Sequence, residues 1–385
     1  MTRLPGHILA DPALGRVLDA LERQGDRAFL VGGAVRNALL DRAVDDIDIA
    51  TDATPDRVIA LARAAGLRAV PTGIDHGTVT LVCEGRGFEV TTFRRDVETD
   101  GRHAVVAFTR DLAQDAARRD FTINALYADR AGQVLDPMGG LADLLDRRLR
   151  FVGDPDARIT EDYLRILRFF RFLACYGRHA DPAALEACGR HAAGLARIAR
   201  ERIGAEMRKL LAAPDPGPSV ALMARAGVLD QVLPGARPDR LAALLRAEDA
   251  PGPWLRRLAA LASGDPTEAL RLSRADGRAL ARLRDALAAG TDPAEAAWRH
   301  GVPAGLDLGM LILAQGLALP PDWRDRVARA ADAPMPVSAA DLAPLQGADL
   351  GRALRAAERA WIASGFTLPA PALIDAAHLA AKDPT

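Results

Sequence analysis

The sequence predicts an α+β protein: a small mixed sheet with flanking helices in the first third, followed by an all-helical remainder. Three observations carry this. Strand-like and helix-like runs alternate up to about residue 140. From Leu141 onward the β signal fades, and Ala, Leu and Arg recur at helical spacing. Within the first third, Val31-Gly32-Gly33-Ala34-Val35-Arg36 precedes Asp45-Asp46-Ile47-Asp48-Ile49, an order of strand, Gly-Gly, helix and Asp-x-Asp strand.

In chain order, Arg27–Val31 reads as a strand, Val35–Leu40 as a short helix and Ile47–Ala50 as a strand. Thr54–Ala65 reads as a helix capped by Thr54 or by the preceding Asp52, with Pro55 in the first turn, where its missing N–H does no harm. Gly77–Cys83 and Gly87–Phe93 are β-rich runs joined by Glu84-Gly85-Arg86, a hairpin signal. Thr160 opens a helix expected to end near Gly177. Further helical periodicity covers Pro218–Val232, Arg240–Ala247, Thr267–Ala288 and Asp349–Ala363, separated by Gly- and Pro-containing breaks.

At 385 residues the chain is too long for one core, so two or three domains are expected. No apolar run approaches the roughly 20 residues of a membrane helix. The start of the chain, Met1 to Gly6, lacks the apolar core of a secretory signal. Cys83, Cys175 and Cys188 are too scattered for a disulfide framework or zinc ribbon, and a reducing cytoplasm is the expected location. The net charge of −1 does not by itself call for a polyanionic partner. Lys209 and Lys382 are the only lysines, so the informative question is where the arginines cluster.

The chemistry concentrates in a few places. On a strand, alternate residues share a face, so Asp46 and Asp48 are expected to project together while Ile47 and Ile49 anchor the core. Paired carboxylates repel, and a divalent cation removes that repulsion, which suggests metal-dependent nucleotidyl transfer. Gly32 and Gly33, without Cβ atoms, let backbone N–H groups approach a phosphate chain, and Arg36 adds a charged donor. Glu89, between Phe88 and Val90, is the expected third carboxylate of a cradle for two metals. Arg118, Arg119 and Asp120 suit a nucleotide, with guanidinium groups on phosphate and a carboxylate on a ribose hydroxyl; the alternative is an Arg-Asp network at a helix start. On the helix from Thr160, Asp162 and Arg165 lie three apart, so they either close on each other as an ion pair or read a base edge. Arg168 and Arg171 rotate away, toward phosphate or RNA backbone.

Taken in order, these motifs resemble the class II nucleotidyltransferases, the family of bacterial CCA-adding enzymes and bacterial poly(A) polymerases. The resemblance runs from Phe29 to about Leu211. It includes Leu30–Arg36, Asp46–Thr51, Glu89–Arg94, Arg118–Ala125, Asp136-Pro137 with Gly139-Gly140, Glu161-Asp162-x-x-Arg165, and Arg200–Ile203 leading to Glu206. It implies a pol β-like head over 1–140, a helical neck for base recognition over 141–215, and an all-helical body and tail over 216–385 that hold tRNA. It further implies that Asp46 and Asp48 bind Mg²⁺ and that Gly33, Arg36 and Arg119 contact the nucleotide. Asp162 and Arg165 would stand in for a Watson–Crick partner of C or A, with Arg168 and Arg171 as further nucleotide contacts. The implied partners are the tRNA 3′ acceptor end, CTP and ATP, with no membrane.

Within the family, Arg94–His103 resembles the flexible loop of members that add all three nucleotides, and the basic-aromatic stretch of the poly(A) branch is not found. Full CCA addition is therefore the expected activity, ahead of poly(A) synthesis or an inactive relative that clamps tRNA. Two departures stand out: Asn37 replaces the family's usual aspartate, and the C-terminal region matches only loosely, around Asp341-Leu342 and Gly347–Gly351.

Overall fold

The computed structural model describes residues 2–100 and 103–382. The chain forms two compact units, Met1–Pro234 and Gly235–Thr385. The first carries the sheet. Its strands are β1 (Ala28–Val31), β2 (Asp48–Thr51), β3 (Arg68–Gly73), β4 (Thr78–Cys83), β5 (Arg86–Thr92), β6 (Arg94–Asp100), β7 (His103–Phe108), β8 (Tyr127–Ala128) and β9 (Val134–Leu135). Seven of them form one sheet in the order β3-β4-β5-β2-β1-β8-β9, and β6 and β7 pair separately. Within the seven-stranded sheet β2 and β5 run parallel, and the other pairs are antiparallel.

β1 is apolar at every position and fully buried, as suits a strand covered on both faces. Phe29 and Val31 pack with Ala50, Phe93, Ala116, Ala125, Tyr127 and Val152. Helices α1 (Pro12–Glu22) and α3 (Pro55–Ala64) lie against each other and the sheet, burying Leu14, Val17, Leu21, Val58 and Leu61. Asp11 caps α1, accepting from the Ala13 N–H at 2.9 Å. Between them, α2 (Gly33–Leu39) leaves β1 through Gly32, whose φ of 62° is in the left-handed region that favours glycine.

Apart from a short parallel pairing of Arg148–Leu149 with His179–Ala180, the longer elements in the rest of this unit are helices: α4 (Leu112–Ala117), α5 (Gly140–Leu145), α6 (Pro155–Glu161), α7 (Leu164–Tyr176), α8 (Pro182–Arg190), α9 (Arg200–Leu211), α10 (Gly217–Arg225) and α11 (Val228–Val232). α7 packs against α9 and α10. Its apolar face continues a run of ring contacts, with Phe121 tilted against Phe151 and Phe172, and Phe151 stacked on Phe169.

The second unit holds α12 (Pro238–Ala247), α13 (Trp254–Leu261), α14 (Arg274–Ala288), α15 (Pro293–His300), α16 (Val302–Ala314), α17 (Trp323–Ala331), α18 (Gly347–Ala363) and α19 (Ala370–Lys382). Leu308, Leu311, Trp323 and Val327 centre one core, and Leu342, Ala357, Trp361 and Leu373 another. Arg257 is fully buried, and its Nε and a terminal nitrogen donate to Glu248 Oε2 at 3.1 and 2.8 Å. No helix among the described residues is long and apolar enough to cross a membrane.

Several expectations need correction. The helix from Thr160 is two helices: α6 ends at Glu161, and Asp162 is extended (φ −152°, ψ 105°) because its own Oδ1 accepts from the Leu164 N–H at 3.0 Å. The run Pro218–Val232 breaks at Gly227 (φ 71°), and the helix expected from Thr267 starts at Arg274, capped by Ser273. Neither candidate cap serves α3: Thr54 makes no side-chain cap bond, and Asp52 is buried, binding the Arg27 backbone N–H at 2.7 Å and the Arg27 and Arg110 guanidinium groups. The segment expected as a loop over 94–103 is a β6–β7 ribbon in its described part, with Gly101 and Arg102 outside the described residues.

Gly140, at the start of α5, is pressed against the turn Thr122–Asn124: a Cβ there would lie 2.0 Å from the Thr122 carbonyl oxygen. Backbone cannot yield as a flexible side-chain end does, so Gly140→Ala is expected to destabilise the first unit by about 1–3 kcal/mol. An unchanged urea midpoint of the first unit's transition would contradict this.

Candidate active site

The parallel pairing of β2 with β5 sets Asp48 directly opposite Glu89, and the next pair, Ile49 and Val90, is fully buried. Paired residues on neighbouring strands share a face, so two carboxylates from distant points in the chain stand side by side. Asp46 is exposed and precedes the regular strand, so the expected alternation does not extend to it; its charge nonetheless acts on Asp48. Asp48 is itself exposed at the start of the strand, but the protein packed around it displaces part of its hydration, and this, then the Glu89 charge, push its carboxyl above the usual aspartate range; Arg119 opposes this and Asp46 adds to it. Among the described residues, no three His, Cys, Asp or Glu side chains stand close enough to form a ready-made metal cage. Glu89 and Asp46 both bear on Asp48 as charges, without the three forming such a cage. The donor set, carboxylates crowding one another beside a single guanidinium, is still the kind that a hard divalent cation relieves.

Arg119 is the best-held cation here. Its Nε donates to the Tyr127 hydroxyl oxygen at 3.0 Å, and one terminal nitrogen donates to Asp115 Oδ2 at 3.1 Å. The Tyr127 hydroxyl in turn donates to Asp115 Oδ2 at 2.7 Å. The other terminal nitrogen faces the Gly32 turn, 3.5 Å from where a Cβ would stand. Burial would raise the Asp115 carboxyl, but Arg119 and Arg118 hold it below the ordinary aspartate range, while burial pushes the Tyr127 phenol up. Arg118 binds Asp115 at 2.8 Å through its Nε, so this half of the Arg-Arg-Asp motif is an internal network.

Arg36 and Asp120 differ from expectation in the same way. Arg36 is buried, sits 3.9 Å from the Tyr176 ring centroid, and donates to Asn37 Oδ1, Asn124 Oδ1 and, at 2.9 Å, the Tyr176 hydroxyl. Asp120 accepts from Asn124 Nδ2 and Arg168 Nε, each at 2.9 Å. Burial would raise its carboxyl, but Arg168 and Asn124 keep it lowered. Arg171 binds the buried Glu206 through Nε and lies 4.2 Å from the Phe172 centroid. Asn37, at the position of the family's aspartate, also donates to the Ala43 carbonyl at 3.1 Å, which a carboxylate cannot do.

Asp162 and Arg165 do not pair with each other. Asp162 Oδ2 accepts from Arg202 at 2.7 Å, and Arg165 donates to Glu161 and to the Arg158 carbonyl at 2.9 Å. The helix-face argument fails because Asp162 stands at the junction between α6 and α7. Sequence reasoning missed Asp115, Asn124, Tyr127 and Tyr176. Asp115, four residues before Arg119 on a short helix, had a readable i,i+4 signal; Tyr127 and Tyr176 had none.

Because its native surroundings hold its pKa above the ordinary value, Asp48 takes up a proton more readily folded than unfolded, and its ionisation weakens the fold as pH rises through that interval. Asp48→Asn is therefore expected to raise the melting temperature at pH 7 without divalent cations, with the gain disappearing below the ordinary aspartate pKa. An equal or lower melting temperature at pH 7 would refute the crowding of charge.

Residues 28–150 match the Poly A polymerase head domain, and 179–239 match the probable RNA and SrmB-binding site of polymerase A. The CCA-adding enzyme of Geobacillus thermodenitrificans is 42% identical over 250 residues, 64% of this chain and 57% of that protein. The mitochondrial CCA tRNA nucleotidyltransferase 1 of Danio rerio is 45% identical over 206 residues, 52% of this chain and 47% of that protein. The chain thus spans about half the length of the curated relatives it matches. The solved structure of the Bacillus stearothermophilus CCA-adding enzyme in complex with CTP superposes with a TM-score of 0.75 at 30% identity, covering 92% of this chain and 94% of that one. That likeness over nearly the full length of both chains, together with the head-domain match around Asp48 and Glu89, establishes that this chain belongs to the nucleotidyltransferase family of CCA-adding enzymes and poly(A) polymerases.

Proposed function

We propose that this chain adds C, C and A to the 3′ end of tRNA from CTP and ATP, releasing pyrophosphate at each step. The register that sets Asp48 opposite Glu89, with Arg119 close by, carries the reading. The similarity to the enzyme solved with CTP supports the choice of nucleotide. In this reading 1–140 is the catalytic head, 141–215 the neck and 216–385 the body and tail, and the protein works in the cytoplasm.

Asp46 and Asp48 would hold a divalent cation, Mg²⁺ in this proposal, with Glu89 beside them; bound there, it supplies a Lewis acid for the phosphates and lowers the pKa of the attacking hydroxyl. The protein's own residues orient the substrates. The Gly32 turn leaves room for a phosphate chain, and Arg119, fixed by Tyr127 and Asp115, presents its remaining nitrogen toward that turn. The 3′-hydroxyl of the RNA attacks the α-phosphate, and pyrophosphate leaves. Asp162 and Arg165 would read the base by exchanging Arg202 and Glu161 for its edge, one charge-assisted bond for another. Arg36, Arg118, Asp120, Arg168 and Arg171 act behind them, holding α2, α4 and α7 in place.

The test is to incubate the protein with Mg²⁺ and tRNA lacking its last three nucleotides, supplying each nucleotide alone and CTP with ATP. Three added residues that require both nucleotides are expected. A long tail from ATP alone would indicate a poly(A) polymerase, and bound but unextended tRNA a clamp. Asp46→Ala should lower incorporation about a thousandfold, the equivalent of several kcal/mol of transition-state stabilisation. Asp162→Ala should relax the choice of C and A over G and U more than it slows the reaction; normal choice in that variant would overturn the base-reading role.

A further inference from the structure

Most arginines at the site are neutralised by carboxylates, but one group is not. Arg147 follows α5 with a φ of 54°, a conformation rarely adopted by a side-chain-bearing residue. Its carbonyl accepts from the backbone N–H groups of Arg178 at 2.7 Å and His179 at 3.1 Å, which brings Arg178 beside it. Two residues before Arg178, the Tyr176 ring carries the Arg42 guanidinium 4.8 Å from its centroid. Arg42, Arg147 and Arg178 therefore gather around the C-terminal end of α7. Among the described residues no ion pair engages any of them, whereas the neighbouring Arg148 and Arg150 both bind the buried Asp143. The carboxylates of this segment, Asp146 and Asp181, act on Arg148. Burial, then the Arg42 and Arg178 charges, hold Arg147 below the usual arginine range, the sign of like charges kept together without a counterion.

We propose that Arg42, Arg147 and Arg178 form a docking patch for the phosphodiester backbone of the RNA strand whose 3′ end is extended. Retaining three clustered cations in a chain of net charge −1 calls for a polyanion, and guanidinium forks suit phosphate. The place fits a strand entering the site. Arg42 lies on the segment that joins α2 to β2, four residues before Asp46, so its Cα is within roughly 14 Å of the Cα of Asp46 along an extended chain. That segment is fastened at its start by Asn37, through the Ala43 carbonyl and through the Arg42 N–H bond to the Asn37 carbonyl at 2.9 Å.

The proposal rests on the RNA-extending reading, and the experiment separates the two. Incorporation by the wild-type protein tests the reading; salt-dependent RNA binding without nucleotides tests the patch. The triple variant Arg42→Gln, Arg147→Gln, Arg178→Gln should bind tRNA lacking its last three nucleotides more weakly, with the slope of log affinity against log salt shallower by about two, as for three lost phosphate contacts on a single strand. Its KM for tRNA should rise at least about tenfold while KM for CTP stays unchanged. Arg178→Glu alone, at an exposed position, guards against misfolding of the triple variant and should weaken tRNA binding while leaving the circular dichroism spectrum unchanged. An unaltered salt slope in both variants, or a rise in KM confined to CTP, would overturn the patch even if wild-type incorporation proceeds as proposed.

Discussion

Two carboxylates facing each other across a parallel strand pair set the terms for the rest of the first unit. Asp48 and Glu89 are unfavourable neighbours, and the fold tolerates them because the residues beside them, Ile49 and Val90, are fully buried and fix the register. A one-residue slip of either strand would turn its apolar side chain, Ile49 or Val90, out of the core, so the strands cannot relieve the repulsion by sliding. The charge crowding is thus held in place by hydrophobic packing on the opposite face, and a hard cation is the natural means of relieving it.

Around this pair the arginines follow a division of labour. Arg36, Arg118, Arg168 and Arg171 are bound within the protein: Arg36 ties α2 to Asn124 and to Tyr176 of α7, Arg168 ties α7 to Asp120, Arg171 ties α7 to Glu206 of α9, and Arg118 closes on Asp115 one turn away. Arg119 is bound on two nitrogens and presents a third toward Gly32. Such buried ionic networks are costly to break because a deserted partner is left charged without solvent. The second unit has the same device in a different place, where Glu248 accepts from both Arg256 and Arg257.

Much of this was legible in the sequence, and the failures have physical causes. Short β-rich runs located β1, β2, β4 and β5, and helical spacing located α2, α3 and much of the C-terminal half, because these elements bury one face or two. The acidic residues were recognisable as a group, but their arrangement was not: the pairing of Asp48 with Glu89 depends on a parallel register between strands about forty residues apart, which no local pattern encodes. The helix through Asp162 was misread because a side chain that bonds its own backbone competes with helix propagation, and composition does not reveal which competitor wins. Arg36 and Arg171 looked like phosphate ligands because their partners, Tyr176 and Glu206, come from far along the chain.

Arg36 shows what such architecture demands of a motif residue. Its flat cation lies against an aromatic ring on one side while separate nitrogens reach amide oxygens on Asn37 and Asn124 and a phenol on Tyr176. A lysine would keep the charge but offer one compact ammonium group, unable to span those acceptors or to stack. The guanidinium of the fourth residue after Gly32 is therefore a joint between α2, the Thr122–Asn124 turn and α7, and a shorter or uncharged side chain there would leave several acceptors without their donor at once.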